Sequence, residues 1–386
     1  MTTTKTLAAL ALAALAAGCS SSSMQAKSDA PAPPAPADAA PAPAAAVSTR
    51  SLASFAASGP KAQCYNRETE PFTAVVDTHF HPRPFGGPAM RPENLYEQFD
   101  RLGVRFVNYF GIGQVLDLTS GCTYYLDCPG TDAAPTVKND FVNGMETVAY
   151  PHPNVHITLS MTFMDLANPE SALETIRLYD QEYPGMFKWA GEVNVVKQAL
   201  TGNGHRFATE ANIDAWGPFM AVLRERNIPI TLHSDLGNDA NPTQYLHLMQ
   251  YVLKKYPDNK IVWAHMGLSK ELQNMDPKQH VAIMTSMLDA SPNLMLDISW
   301  DVLYNAYHQF GPDFLPFFEA YSTRILPGSD FVAASTKSAD QYQKELEITS
   351  RVNRALSDEA FRNIALGDNY FRLMKLDYRA PEICAR

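Results

Sequence analysis

The chain has 386 residues, 46% of them hydrophobic, with 31 basic against 41 acidic side chains and a formal net charge of −10 at pH 7. It has no basic run and no basic patch interleaved with aromatic residues, so it lacks the positive footprint that nucleic-acid binding requires, and nucleic acid is excluded as a partner.

In chain order, the first feature is Lys5, then an apolar run over 7–17, then Gly18-Cys19, the pattern of an export signal. The run is too short to cross a membrane as a helix, which needs about 20 residues. Ala16-Ala17-Gly18-Cys19 is similar to the lipobox of bacterial lipoproteins, with Ala16 where Leu is usual. That resemblance implies a signal peptide at 1–18 and lipidation of Cys19. Ser20 after the cysteine implies the outer membrane of a Gram-negative cell, with the membrane a partner only through the anchor. Residues 19–60 are rich in Ser, Ala and Pro, including Pro31, Pro33, Pro34, Pro36, Pro41 and Pro43. Such a stretch cannot bury enough apolar surface to offset its ordering entropy and is expected to be a disordered tether. The folded domain is expected at 61–386.

Four further cysteines, Cys64, Cys122, Cys128 and Cys384, form an even set in a chain expected to fold outside the cytoplasm. Of the three possible pairings, the favoured one joins Cys122 to Cys128 within one loop and Cys64 to Cys384 at the ends of the domain. Their wide spacing disfavours a thiolate zinc site.

Short runs rich in Val, Ile and aromatic residues recur at 72–77, 104–110, 155–162, 186–193, 228–233, 260–265, 294–298 and 324–327, with helical stretches between them. One such stretch opens Asn168-Pro169-Glu170, a cap residue followed by proline in the first turn. Another opens Ser357-Asp358-Glu359. Eight strands alternating with helices predict an α/β fold, a (β/α)8 TIM barrel, whose active site lies at the carboxyl ends of the strands.

Candidate metal ligands stand at those ends. In Val75-Val76-Asp77-Thr78-His79-Phe80-His81 the alternation of a strand sends His79 and His81 to the same side. Glu192, His233, His265 and Asp330 end four other strands. A first ion would take His79, His81 and Asp330, and a second His233 and His265, with Glu192 bridging them or completing one. The expected cofactor is thus a divalent metal, zinc before manganese, as one or two ions. Metal binding lowers the pKa of water from about 15.7 towards 7, and Asp330 could then act as general base and acid. A structural alternative pairs Glu192 with Lys188. Arg83, Trp300, Asp301 and Tyr304 are candidate substrate-binding residues. His152, His156, His205, His247, His280 and His308 fall elsewhere and read as surface or packing residues.

This ligand set resembles that of the amidohydrolase superfamily over roughly residues 70 to 378. The segment Ile364-Ala-Leu-Gly-Asp-Asn369 resembles the family's Gly-x-Asn ending, and Gly191-Glu192-Val193 is similar to the glutamate of TatD-type nucleases and some phosphotriesterase relatives. Lys188 is a poor match for the carbamylated lysine of other relatives. The resemblance implies a metal-dependent hydrolase acting on an amide, ester or lactone of a small molecule, with Asp330 and Glu192 catalytic. It leans towards two metals. The alternatives are a one-metal decarboxylase or lyase of the same fold, and a non-catalytic ligand-binding envelope lipoprotein. The loops at 82–92, 111–139 and 195–212 are expected to choose the substrate, and the long one containing Cys122 and Cys128 to form a lid or rim.

Overall fold

Parallel strands covered on both faces need apolar residues at nearly every position, and the predicted runs supply them. A computed structural model describes residues 50–58, 63–70, 74–300 and 312–385. The expected signal peptide at 1–18, Cys19 and most of the 19–60 tether lie outside the described residues, as do Asp301 and Tyr304.

Each predicted run overlaps a strand: β1 (Val76–His81), β2 (Phe106–Tyr109), β3 (His156–Met161), β4 (Phe187–Val196), β5 (Ile230–Ser234), β6 (Ile261–Trp263), β7 (Leu294–Asp297) and β8 (Ile325–Leu326). A further short strand, β9 (Phe331–Val332), follows β8 after one turn. The sheet order is β8-β7-β6-β5-β4-β3-β2-β1-β9, parallel throughout. Because β8 and β9 are two halves of one broken strand, the sheet meets itself. The Ile298 N–H donates to the Leu326 carbonyl at 3.1 Å on one side, and the Thr78 N–H to the Pro327 carbonyl at 3.0 Å on the other. The expected α/β TIM barrel is the fold. The first strand ends four residues beyond its predicted run, because the two ligand histidines and their neighbours, all buried, extend it.

Helices cover the barrel: α1 (Pro92–Leu102), α2 (Lys138–Ala149), α3 (Ala172–Glu182), α4 (Glu210–Ala215), α5 (Gly217–Glu225), α6 (Leu246–Lys255), α7 (Pro277–Ala290), α8 (Phe314–Ala320), α9 (Ala339–Ser350), α10 (Asp358–Ile364) and α11 (Asp368–Met374). Ser357 caps α10 by accepting from the Ala360 N–H, as its sequence signalled. Asn168 makes no side-chain cap, and one turn of 3-10 helix precedes α3 instead. Among the described residues no helix is long and apolar enough to cross a membrane.

The Gly-x-Asn ending acquires a physical reason. The Asn369 amide is buried and donates to the carbonyls of Ser322 at 2.7 Å and Ile325 at 2.6 Å, tying α11 to the start of β8. Gly367, at φ 95°, lies so close to β1 that a Cβ would meet Val76 Cγ2 at 2.5 Å.

Packed structure begins at least by Arg50, earlier than the expected boundary at 61. Leu52–Phe55 form a 3-10 turn, and the buried Phe55 ring packs edge-on against Phe106 at 5.4 Å. The averaged Ser, Ala and Pro composition hides this anchor. Both favoured disulfides are present, Cys64–Cys384 and Cys122–Cys128.

Candidate metal centre

Closure of the barrel places β8 beside β1, and the Asp330 N–H donates to the His79 carbonyl at 2.8 Å. Strand alternation sends His79 and His81 inward, with their Nε2 atoms 3.2 Å apart. Acceptors behind the rings fix the opposite nitrogens. His79 Nδ1–H donates to Asp297 Oδ2 at 2.6 Å, His81 Nδ1–H to the Phe110 carbonyl at 3.2 Å, and His265 Nδ1–H to the Ser299 carbonyl at 3.3 Å. A neutral imidazole held in this way turns a bare Nε2 to the centre.

His79 Nε2, His81 Nε2 and Asp330 Oδ1 form a triangle with edges of 3.1, 3.2 and 3.3 Å. Zinc ligands at about 2.0–2.1 Å in a tetrahedron lie about 3.3–3.4 Å apart, so the triangle is one face of such a site. Glu192 Oε2 stands 3.6 and 3.7 Å from the two histidine nitrogens, near the fourth corner. His265 Nε2 is buried without a hydrogen-bond partner, 3.8 Å from Glu192 Oε1 and 3.9 Å from Asp330 Oδ2. A buried orphan nitrogen facing two carboxylates fits a cation-binding site. His233 bonds through Nε2 to Asp235 Oδ1 at 2.9 Å and through Nδ1 to Glu192 Oε1.

All six sequence-predicted ligands thus meet in one cluster. Burial opposes the charge on Glu192, but Lys197 and His233 outweigh it and hold the carboxyl well below its ordinary range. Burial likewise opposes charging His79, while Asp297 and Asp330 raise its pKa well above the usual imidazole value. For His265, burial prevails and lowers the pKa.

The backbone is strained where it presents the site. His265 (φ 55°), Trp300 (φ 77°) and Asp330 (φ 58°) are left-handed, at a cost on the order of 1–3 kcal/mol each. Close packing holds them there: a Cβ on Gly328 would lie 2.8 Å from His79 Cβ and 3.0 Å from Ser299 Cβ.

Residues 192–369, which carry four of the six ligand candidates, match the family model described as amidohydrolase. Over that segment the chain is similar to the amidohydrolase family. The cluster of His, Asp and Glu side chains is one that could hold a metal ion. No curated protein matches the sequence. Among solved structures, 2,6-dihydroxybenzoate decarboxylase from Rhizobium is 14% identical, with 79% of this chain and 98% of that chain covered and a TM-score of 0.44. An amidohydrolase from Burkholderia multivorans with bound zinc is 12% identical, covering 78% and 99%, with a TM-score of 0.47. Dihydroorotase from Saccharomyces cerevisiae, solved with 5-fluoroorotic acid, is 12% identical, covering 78% and 84%, with a TM-score of 0.45.

The centre opens into a cavity of about 510 Å³. All three loops expected to choose the substrate line it, through Phe85, Tyr124, Tyr125 and Leu200 among others. The insertion after β2 carries a small antiparallel pair, Gln114–Leu116 with Ala133–Pro135, and forms a separate apolar cluster with Phe85 and Leu200. It is a wall of the cavity, closed by Cys122–Cys128.

Trp300 lines the cavity, its ring 5.0 Å from that of His265. Arg83 does not line it; its guanidinium pairs with Glu146 of α2, which satisfies the charge that a substrate was expected to meet. The Glu192 partner is Lys197 at 3.0 Å, not Lys188, which is exposed. Of the histidines set aside, His152 pairs with Asp100 at 3.1 Å and His280 bonds to the Met266 carbonyl at 2.9 Å, while His308 lies outside the described residues. Three residues that hold the site escaped the sequence reading: Asp297, Lys197 and Asp235. Asp297 had a signal, since it ends a strand after Leu294-Met295-Leu296 just as the named ligands do.

Proposed function

We propose that this protein is a hydrolase that adds water to the amide, ester or lactone carbonyl of a small organic molecule. The supporting observation is Asp330, whose carboxylate stands 3.1 Å from His81 Nε2 and 3.3 Å from His79 Nε2 while also lining the cavity. His79, His81 and Asp330 would hold a divalent metal, which when bound would supply an acidified water and a polarised carbonyl. Asp330, ionised beside three histidines, is placed to accept the water's proton and return it to the leaving group. Asp297, Phe110 and Ser299 keep the three histidines in the tautomer that leaves Nε2 free. Trp300, Tyr124, Tyr125 and Phe85 supply apolar walls that exclude bulk water, and the cavity volume suits a drug-sized or smaller substrate.

The two disulfides support a setting outside the reducing cytosol, in keeping with an exported chain anchored at Cys19. The test is turnover of a panel of lactones, esters and amides by the zinc-loaded protein in 18O-labelled water. One solvent oxygen in the acid product supports hydrolysis. Release of carbon dioxide without incorporation of solvent oxygen replaces this reading with a lyase.

A further inference from the structure

We infer that the centre holds a single metal ion and that the Lys197 ammonium occupies the place of a second. The inference rests on the metal-dependent reading above and goes beyond it by assigning the stoichiometry to a side chain of this protein. Ligand types alone permit two ions, since Glu192, His233 and His265 form a second group of donors beside the His79, His81 and Asp330 triangle.

The geometry separates the two groups. In the first, the donor atoms face one another at 3.1–3.3 Å, the spacing of ligands around one ion. In the second, Glu192 Oε1 accepts from Lys197 Nζ at 3.0 Å and also contacts His233 Nδ1. A carboxylate oxygen offers two lone pairs, and both are engaged. An ion there would have to break both bonds and sit beside a fixed positive charge in a site where water screens poorly.

Lys197 is not a wandering surface lysine. Its side chain is 12% exposed, it lines the cavity, and the next residue fastens the backbone. Gln198 donates its backbone N–H at 2.7 Å and its side-chain amide at 3.2 Å to Asp235 Oδ2, and Asp235 Oδ1 also holds His233 Nε2. One carboxylate therefore locks together the lysine's loop and the histidine that a second ion would need. His265 Nε2, the orphan nitrogen, is left facing the single ion's carboxylates.

The experiment is zinc content of the purified full chain, measured by elemental mass spectrometry after saturation with zinc and desalting, for wild type, Lys197→Ala and Lys197→Arg. Circular dichroism checks that each is folded. The expected result is one ion per chain in wild type and in Lys197→Arg, which keeps the charge, and two in Lys197→Ala. Two ions in wild type overturn the inference and leave the metal-dependent reading intact. One ion in a folded Lys197→Ala overturns it as well. No ion in any of the three overturns both this inference and the reading on which it rests.

Discussion

Asp297 Oδ2 accepts the Nδ1–H of His79 at 2.6 Å, with both side chains fully buried. Asp297 Oδ1 is held in turn by the Ser299 N–H at 2.6 Å, so the carboxylate is aimed from the end of β7. Such a partner fixes the ring and raises its basicity as a ligand, and its loss costs about 10–100-fold in metal affinity. Asp297→Asn should weaken zinc binding by that factor in competition with a chromogenic chelator, without loss of fold. Unchanged affinity would reduce Asp297 to a packing role.

The barrel and its ligands were legible in the sequence because both follow a period. Runs of four to eight mostly apolar residues recur between helices, and the ligands stand at or just past their carboxyl ends, except Glu192, which lies inside β4 because that strand continues to Val196. What escaped depends on distance across the fold. Lys197 follows β4 in a turn with no regular period, and the bonds from Gln198 to Asp235 fasten that turn beside Glu192. Arg83 looked available next to His81, but α2 brings Glu146 to it. Phe55 was lost in a stretch whose average composition is that of a tether, because a single aromatic residue does not alter an average.

The two disulfides should act on different properties. Cys64–Cys384 spans 320 residues and staples the Tyr65 segment to the chain end, where the Cys384 N–H donates to the Tyr65 carbonyl at 3.0 Å. Replacing both cysteines by Ser should lower unfolding free energy by about 2–5 kcal/mol in urea titrations. Cys122–Cys128 spans only 6 residues but closes the loop carrying Tyr124 and Tyr125. Its removal should raise KM with little change in the unfolding midpoint; a large stability loss with unaltered KM would contradict its role as a cavity wall.

Asp140 is buried beneath the cavity floor, where it accepts from the Thr162 N–H at 2.6 Å, the Thr162 hydroxyl at 2.7 Å and the Tyr179 hydroxyl at 2.5 Å. Burial outweighs these bonds and pushes its carboxyl up to about 7. The folded state therefore keeps a proton that the unfolded chain releases near pH 4. This contribution to stability is complete below pH 4 and is lost as pH rises to about 7, on the order of 4 kcal/mol for a shift of that size. Asp140→Asn removes the titration. The stability difference between wild type and variant, from urea unfolding at pH 5 and pH 8, should move in favour of the variant at the higher pH. A difference independent of pH would show that Asp140 is ionised throughout.

Asp330 combines two roles that substitution can separate. Its Oδ1 lies at the corner shared with His79 and His81, while Oδ2 lies 3.9 Å from His265 Nε2. Asparagine keeps an oxygen for the metal but cannot accept and return a proton. Asp330→Asn should therefore bind zinc, more weakly than wild type, and lose about 10²–10⁴-fold in kcat when saturated with metal, the usual worth of a positioned acid–base group. Asp330→Ala removes both roles and should lose metal as well. Elemental analysis of each variant alongside its kcat distinguishes the cases. An asparagine variant that holds zinc and turns over at the wild-type rate would remove Asp330 from proton transfer and leave it a ligand alone.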